Sequence, residues 1–552
     1  MTSSPRFRSM LIALVVVLSA SGLLLGSQCL GAATKPVSQG GLSGDTLRIG
    51  FSVHPDTLEI TQVTNTAVAS LLGHVVETLV SVDENGRLVP QLAERYEVSP
   101  DGREITFHLP RGVTFQDGTP LNAAAVVWNI NRLQEKLAQV SDCAAAEAQL
   151  ASVDTTKALD VNTVRFTLKH PAPDFLPTLS WIAYGILSPR SEGVPGNKRF
   201  NIQHPVGTGP YAIAASSADQ LQLTRFEGYR GERPYFSKLD FRFVTKPEER
   251  QAKLAGNQLD VILDPTVGQL AKLAQDTRFE VVSKPSSRTV FVNLNNQRPP
   301  FNDVRVRRAV NLAVDKQALI DQVLLGNATA MDSPLAANIS GYCSTGSYAY
   351  DPAAARALLA EAKVAPGTHL KMLTPRGRYL EDEAVAQKIA GYLRAVGFTV
   401  TVEAMEWPVL MGELYRPPQQ VTADMHVFGW SPTFPEASWQ LPHLYDSKRW
   451  PPVGSASSFY KNPEVDKMLD AASLDGNSVS RNKLFCEAEQ KIWDDAPAIF
   501  LWAQNAQLVT RAGLTNVIAM PNEKISVAFA RPTSPGSAKD PGLQPAAKKS
   551  EK

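Results

Sequence analysis

Apolar periodicity along the 552 residues predicts an α/β protein of more than one domain. Length is the first reason, because a chain of this size outgrows a single hydrophobic core and calls for two or three domains. Alternation is the second: period-two stretches and helix-period stretches follow one another through most of residues 45–530. The third is a βαβ unit, in which HLKMLTPRG, EDEAVAQKIAGYLRAVG and FTVTVEAM read as strand, helix and strand. Such a unit favours parallel pairing and a right-handed crossover. Its helix sets Val385, Ile389, Leu393 and Val396 on one stripe and stops at Gly397.

The chain begins with a basic segment, MTSSPRFRSM, and an apolar run, LIALVVVLSASGLLLG. Small residues at Gly31 and Ala33 suit signal peptidase, so residues 1–33 read as a signal peptide cut after Ala33. The run is long for that role, and a retained N-terminal anchor is the alternative. Gln28 before Cys29 argues against a lipoprotein, since lipidation wants a small side chain there. No other apolar run is long enough for a bilayer, so the remainder reads as exported and soluble.

A Ser/Gly-rich linker over 34–44 precedes DTLRIGFSV, a strand. REITFHLPRGVTF holds a strand with Ile105, Phe107 and Leu109 on one face, and LNAAAVVWNINRLQEKLA is a helix capped by Asn122. HPVGTGPYAI is a glycine-proline turn feeding a strand; LQLTRFEGY and LDFRFV alternate with period two. FNDVRVRRAVNLAVDKQALIDQVLLG reads as one helix from an Asn302/Asp303 cap to Gly326. YDPAAARALLAEA carries Asp351 as N-cap and Pro352 at the first helical position. Two more helices, NPEVDKMLDAA and SRNKLFCEAEQKIWDDA, precede a returning strand, AIFLWAQNAQLVT, and residues 532–552 form a Pro/Ser/Lys-rich tail expected to be disordered.

Net charge is +1, and removal of a leader carrying Arg6 and Arg8 takes it to −1. Without a basic run the chain is no candidate for nucleic acid, whose phosphates demand clustered Lys and Arg. The eight histidines, at 54, 74, 108, 170, 204, 369, 426 and 443, form no HExxH or other close pair, and GWSPT has Pro where a nucleophile elbow needs a small residue. An exported hydrolase is therefore the disfavoured alternative. Cys143, Cys343 and Cys486 outlast the leader, and an odd number allows at most one disulfide. Buried thiols are the expectation for all three.

Several segments, taken in order, resemble one family. RLVPQLAERYEVSPDGREITFHLPRGVTFQDGTPLNAAAVVWNINRL, PVGTGPY, RPPFNDVRVRRAVNLAVDKQALIDQVLLG, YDPAAARALLAEA and TPRGRYLEDEAVAQKIAGYLRAVGFTVTVEAMEW are similar to the family 5 extracellular solute-binding proteins, the dipeptide/oligopeptide/nickel class that feeds ABC importers. The resemblance spans about residues 45–530 and implies a two-lobed periplasmic-binding-protein fold of the class II type. Its mixed sheets carry an extra subdomain in lobe one, and the chain crosses the hinge twice. It implies lobe one at 45–287 plus 505–531, lobe two at 288–504, and crossings near Ser287 and Gln504. The implied role is a monomeric periplasmic receptor that closes over a small peptide or peptide-like solute and hands it to a membrane-embedded ABC permease with a cytoplasmic ATPase. No catalysis, cofactor or resident metal is implied. A nickel or other metal chelate is the alternative solute, with His426 and His443 flanking the site, and presentation to a chemoreceptor is an alternative use of the same lobes.

FGWSPTFPEASW, 428–439, gathers two Trp, two Phe and two Pro. In the family, the strand ending in Gly-Trp leads into a segment facing the cleft. Peptide-binding members carry an Asp three residues after that Trp and a second a few residues on, because an ammonium leaving water needs a carboxylate partner. Here those positions are Thr433, a neutral hydroxyl, and Glu436. Trp430, Phe434 and Trp439 would supply flat apolar walls, although Trp439, beside Leu441 and Pro442, equally suits a core. Arg376 and Arg378 lie on the loop after a strand end, where open α/β sheets place ligands and where relatives pair a carboxylate; pairing with Glu381 or Asp382 is the alternative. His54, in VHPD, either touches the cleft or sits in a plain turn.

Overall fold

Two long strands, Phe279–Leu294 and Ala498–Arg511, lie antiparallel in the middle of an eleven-stranded sheet. The computed structural model describes residues 44–533 apart from 56, 64, 138–149, 192–201 and 433. The expected leader, most of the linker, Cys143, Thr433 and the tail beyond 533 fall outside the described residues.

On one side of the long pair the sheet continues through Val261–Leu263, Thr46–Phe51, Lys238–Phe243, Gln220–Arg225 and Tyr211–Ser216. On the other it continues through Met425–Trp430, His369–Pro375 and Thr399–Met405. Pairing is mixed, as expected. Thr46–Phe51 is parallel to both neighbours, whereas the two long strands and the hairpins are antiparallel. The βαβ unit forms with its strands parallel, and Val385, Ile389 and Leu393 of the helix Asp382–Ala395 are fully buried.

Apolar packing separates into two lobes. One core draws on Leu47, Phe51, Leu221, Phe241 and Val261 together with Leu508 and Val527. The other lobe has two clusters, both built from residues between Val290 and Trp502. A separate four-stranded antiparallel sheet, Arg95–Val98, Glu104–His108, Thr163–Leu168 and Val153–Ala158, packs Phe107 and Phe166 with Val126 and Ile130 of the helix Ala123–Leu137. It is an extra subdomain with its own core. Between the lobes the long pair slips register from Pro285 to Thr289, opposite Asn505 and Ala503. Ser286 Oγ donates to the Gln504 carbonyl there, and the Ser287 amide donates to the Pro521 carbonyl. Arg288 clasps the Glu523 carboxylate on the returning segment.

The helix expected over 302–326 is two helices, Val304–Ala313 and Lys316–Gln322. Val314 turns extended, and Asp315 recaps the chain by accepting from the Ala318 amide, so a polar residue that fits a helix face instead restarts one. Asp351 caps as expected, accepting from the amides of Ala353 and Ala354. The tail begins later than position 532, because Arg531–Pro532 still pairs with Leu514–Thr515. Cys343 and Cys486 form a disulfide, correcting the expectation of buried thiols for that pair. Two cysteines 143 residues apart carry no local sign that they will meet.

The glycine-proline turn has a steric cause. A Cβ on Gly207 would stand 2.2 Å from the Val75 carbonyl oxygen, and one on Gly209 would stand 2.7 Å from the His74 oxygen. Gln116 laces the same backbone through Nε2 to the carbonyls of Val75, Gly209 and Tyr211. Because backbone cannot swing aside as a side-chain tip can, Gly207→Ala is expected to cost about 3 kcal/mol, the upper part of the overpacking range. Urea unfolding of the variant beside the parent measures it.

Candidate functional site

The aromatic stretch is not one loop. Phe428 and Trp430 end the strand Met425–Trp430, and Trp439 lies in the helix Ala437–Tyr445, whose inward face follows from Ala437, Leu441 and Leu444. Only the short link between them is irregular. Ser340 holds it in place: its amide donates to the Pro435 carbonyl and its carbonyl accepts from the Ala437 amide. The neighbouring Gly341 has φ +90°, and a Cβ there would stand 2.8 Å from the Ala437 Cβ.

This link meets the hairpin Val80–Val82/Leu88–Pro90 of the first lobe. Val82, Phe434 and Trp439 form a small buried cluster, and the ring centroids of Phe434 and Trp439 are 5.0 Å apart. The Pro435 ring lies under Gly86, whose φ is +81°. Trp439 therefore serves the contact between lobes as well as its own helix. The His443 ring lies tilted against it at 4.5 Å and against Trp430 at 5.5 Å, with its Nδ1 toward the Trp439 carbonyl. Burial pulls His443 down to about 4, so the ring is neutral near pH 7.

Beside the aromatics lies an ionic group with more acid than base. Arg481, on the helix Ser478–Asp495, reaches Glu436 Oε2 at 3.8 Å and Asp174 Oδ1 of the other lobe at 3.6 Å. Both distances are ion pairs too long for hydrogen bonds. Burial pushes the Glu436 carboxyl above its ordinary value, the Asp174 charge adds to the rise, and Arg481 with the Ser438 hydroxyl opposes it. Asp174 is likewise raised, first by burial. Asp174 Oδ1, Arg481 Nε and Nη1, Trp430 Nε1 and Ser431 Oγ are all buried without a hydrogen-bond partner. Asp174 and Arg481 escaped sequence reasoning, because each is an ordinary polar residue on a distant segment and only folding brings them to Glu436.

The two arginines of the Pro375–Asp382 loop differ in role. Arg376 is exposed and pairs with Glu383 at 3.1 Å and Glu406 at 3.4 Å, not with Glu381 or Asp382. Asp382 instead accepts from the amides of Gly377, Arg378 and Tyr379, which fixes the loop. The Arg378 guanidinium lies over Trp407 at 5.2 Å and Tyr379 at 5.7 Å and has no acid within ion-pair reach among the described residues. The residue as a whole is exposed, yet its guanidinium is desolvated enough, with Arg288 adding repulsion, to sit below its usual pKa. His54 lies apart from these groups, in a first-lobe pocket with Gln203 and Phe243, its Nε2 2.7 Å from the Ala218 carbonyl oxygen. His426 is a core residue, its Nε2 3.0 Å from Ser457 Oγ. Thr433 lies outside the described residues.

Two lobes joined by paired crossing strands, closing on a buried seam of aromatic and charged side chains, define the periplasmic-binding-protein class. The model of the bacterial extracellular solute-binding proteins, family 5 (middle region), matches residues 87–452, and the chain belongs to this family of binding proteins. The glutathione-binding protein GsiB of Pectobacterium atrosepticum is 31% identical over 452 residues, covering 81% of this chain and 86% of that one. Among solved structures, the substrate-binding protein CtaP of Listeria monocytogenes superposes with a TM-score of 0.80 at 19% identity, covering 89% of this chain and 100% of that one. Helicobacter pylori DppA, in complex with the peptide STSA, gives 0.75 at 23%, covering 89% and 98%. At these identities the two structures speak for the fold. Among the described residues no helix is long and apolar enough to cross a membrane.

The excess of acid at the seam has a measurable sign. A carboxyl whose folded pKa is raised stabilises the fold while protonated, and that stabilisation is lost as pH climbs through the folded value. Glu436→Gln leaves Arg481 with Asp174 alone, a balanced pair. Without ligand it is expected to raise unfolding free energy by about 1 kcal/mol at pH 7 and by little at pH 4; denaturant titrations at the two pH values test this.

Proposed function

We propose that this chain is the exported receptor of an ABC importer, that it closes over a short peptide or peptide-like solute, and that it delivers the solute to a membrane-embedded permease driven by a cytoplasmic ATPase. The observation that supports the reading is the set of buried polar atoms without a hydrogen-bond partner around the aromatic and ionic groups: Asp174 Oδ1, Arg481 Nε and Nη1, Trp430 Nε1 and Ser431 Oγ. A buried unpaired group costs about 1–3 kcal/mol, so a solute carrying backbone donors and acceptors recovers that cost on entering. The relatives named for glutathione, a tripeptide, and the DppA neighbour holding STSA support a peptide.

In this reading lobe one is 45–287 plus 505–531 and lobe two 288–504, hinged where the long strands slip register. Residues 1–33 act as an export leader. Glu436 faces the peptide's amine, with Asp174 as a second carboxylate where the family's Asp gives way to Thr433. Arg378, uncommitted to any acid, faces a carboxylate, and Trp430 and Phe434 wall the sides. Arg376 and His54 stay outside the contact.

Calorimetry with a panel of di- and tripeptides tests the proposal directly. Glu436→Ala is expected to weaken a free-amine peptide by about 1.5–3 kcal/mol, the range for a charged hydrogen bond, and to leave its N-acetylated counterpart unchanged. Equal loss for both forms removes Glu436 from amine recognition, and no binding by the unaltered protein across the panel rejects the peptide reading.

A further inference from the structure

A cavity of about 150 Å³ lies in the first lobe beside the seam, under the turn that carries Asn522, Glu523 and Lys524. Val82, which packs on Phe434 and Trp439, forms part of its wall, so the cavity adjoins the contact between lobes. Its other walls are mixed, with Val76, Ile182 and Phe529 beside the neutral polar Thr78, Ser81 and Tyr229.

The charges around it do not cancel. His74 is neutral: its Nδ1 faces the Ser70 carbonyl oxygen at 2.8 Å, its Nε2 accepts from the Val527 amide, and burial pulls it to about 4. Glu77 is consumed by Arg230 and by the Thr208 hydroxyl at 2.8 Å. Tyr229 is pushed up to about 12 and stays a phenol. Lys524 remains. Its Nζ makes one long hydrogen bond, 3.4 Å to the Ser180 carbonyl, and lies 5.4 Å from the Trp181 ring centre, with no carboxylate within ion-pair reach among the described residues. Burial alone lowers it to about 8, which leaves it charged at neutral pH. Lys524 is half-buried, and an ammonium drawn partly out of water without an anion is costly, so such cations are ordinarily paired.

The turn is also tied to the hinge. Glu523, one residue before Lys524, holds Arg288 just past the first crossing, and Pro521 accepts from Ser287.

We propose that this cavity is a carboxylate subsite, in which Lys524 takes an acidic side chain or a second carboxylate of the bound solute. The inference rests on the peptide reading for its biological ligand, and it narrows that ligand to acidic peptides. The ammonium supplies the charge and Trp181 holds it from behind.

Two probes separate the inference from the reading beneath it. Glutarate, a small dicarboxylate, tests the subsite alone by thermal shift and calorimetry on the mature chain. It is expected to stabilise the unaltered protein and Lys524→Arg, and to lose at least tenfold in affinity with Lys524→Met. The matched peptides Ala-Glu-Ala and Ala-Gln-Ala test the consequence: the acidic one should bind at least tenfold tighter, and Lys524→Met should abolish the difference. Lys524→Met removes a half-buried charge that lacks an anion and should fold about as stably as the parent. Glutarate binding that is absent, or indifferent to Lys524→Met, overturns the subsite even where both peptides bind. Glutarate binding lost in Lys524→Met with neither peptide bound upholds the subsite and counts against the peptide reading.

Discussion

The antiparallel ladder between Phe279–Leu294 and Ala498–Arg511 passes from one core to the other, and it breaks register between Pro285 and Thr289, where the cores part, and again between Val290 and Phe291. A regular ladder resists bending because each residue is held by bonds to its neighbour, whereas a bulge frees a few backbone groups to reorient. Here the freed backbone groups find other partners: the Gln504 carbonyl accepts from the Ser286 hydroxyl, the Ser287 amide donates to the Pro521 carbonyl and the Arg288 amide to Ser286 Oγ, while the Arg288 side chain clasps Glu523. The seam between lobes depends on this arrangement, since the crossing strands fix how Val82 and Asp174 face Phe434 and Arg481.

At the seam, apolar and polar contributions oppose one another. Val82, Phe434 and Trp439 gain by excluding water, at roughly 25 cal/mol per Å² of apolar surface. Two raised carboxyls sharing one guanidinium, with several unpaired buried atoms, act the other way. On the proposed reading, closure without a guest is poorly compensated, and a guest that hydrogen-bonds those atoms tips the balance. Differential stabilisation of one conformation is the only means by which a ligand can shift such an equilibrium.

Much of the architecture was legible in the residue pattern, because its elements declare themselves locally. Period-two strands such as TLRIGF and the stripe on Asp382–Ala395 need only burial to confirm their faces, and Asp351-Pro352 signals a helix start by its own chemistry. The split at Val314–Asp315 was hidden because Asp315 serves equally on a helix face or at a cap. For the candidate site, the sequence singled out the stretch 428–439 through its crowding of aromatics, and left the ionic partners unseen. Asp174, Arg481 and Lys524 have no neighbours in sequence that announce them; their meaning comes from what folding places, or fails to place, within a few ångströms. The contrast between Arg376, neutralised by two glutamates, and Arg378, resting on rings, is equally a tertiary fact.

The Cys343–Cys486 bond joins two pieces that flank Glu436. Cys343 follows the Ser340–Gly341 brace, and Cys486 sits on the helix that projects Arg481, with Gly341 already wedged between Ala437 and that helix. Where thiols are kept reduced, brace and helix are held together by packing alone. Where they are oxidised, acid and guanidinium ride on one covalent frame, so the redox state of the surroundings helps determine how firmly this mouth keeps its shape.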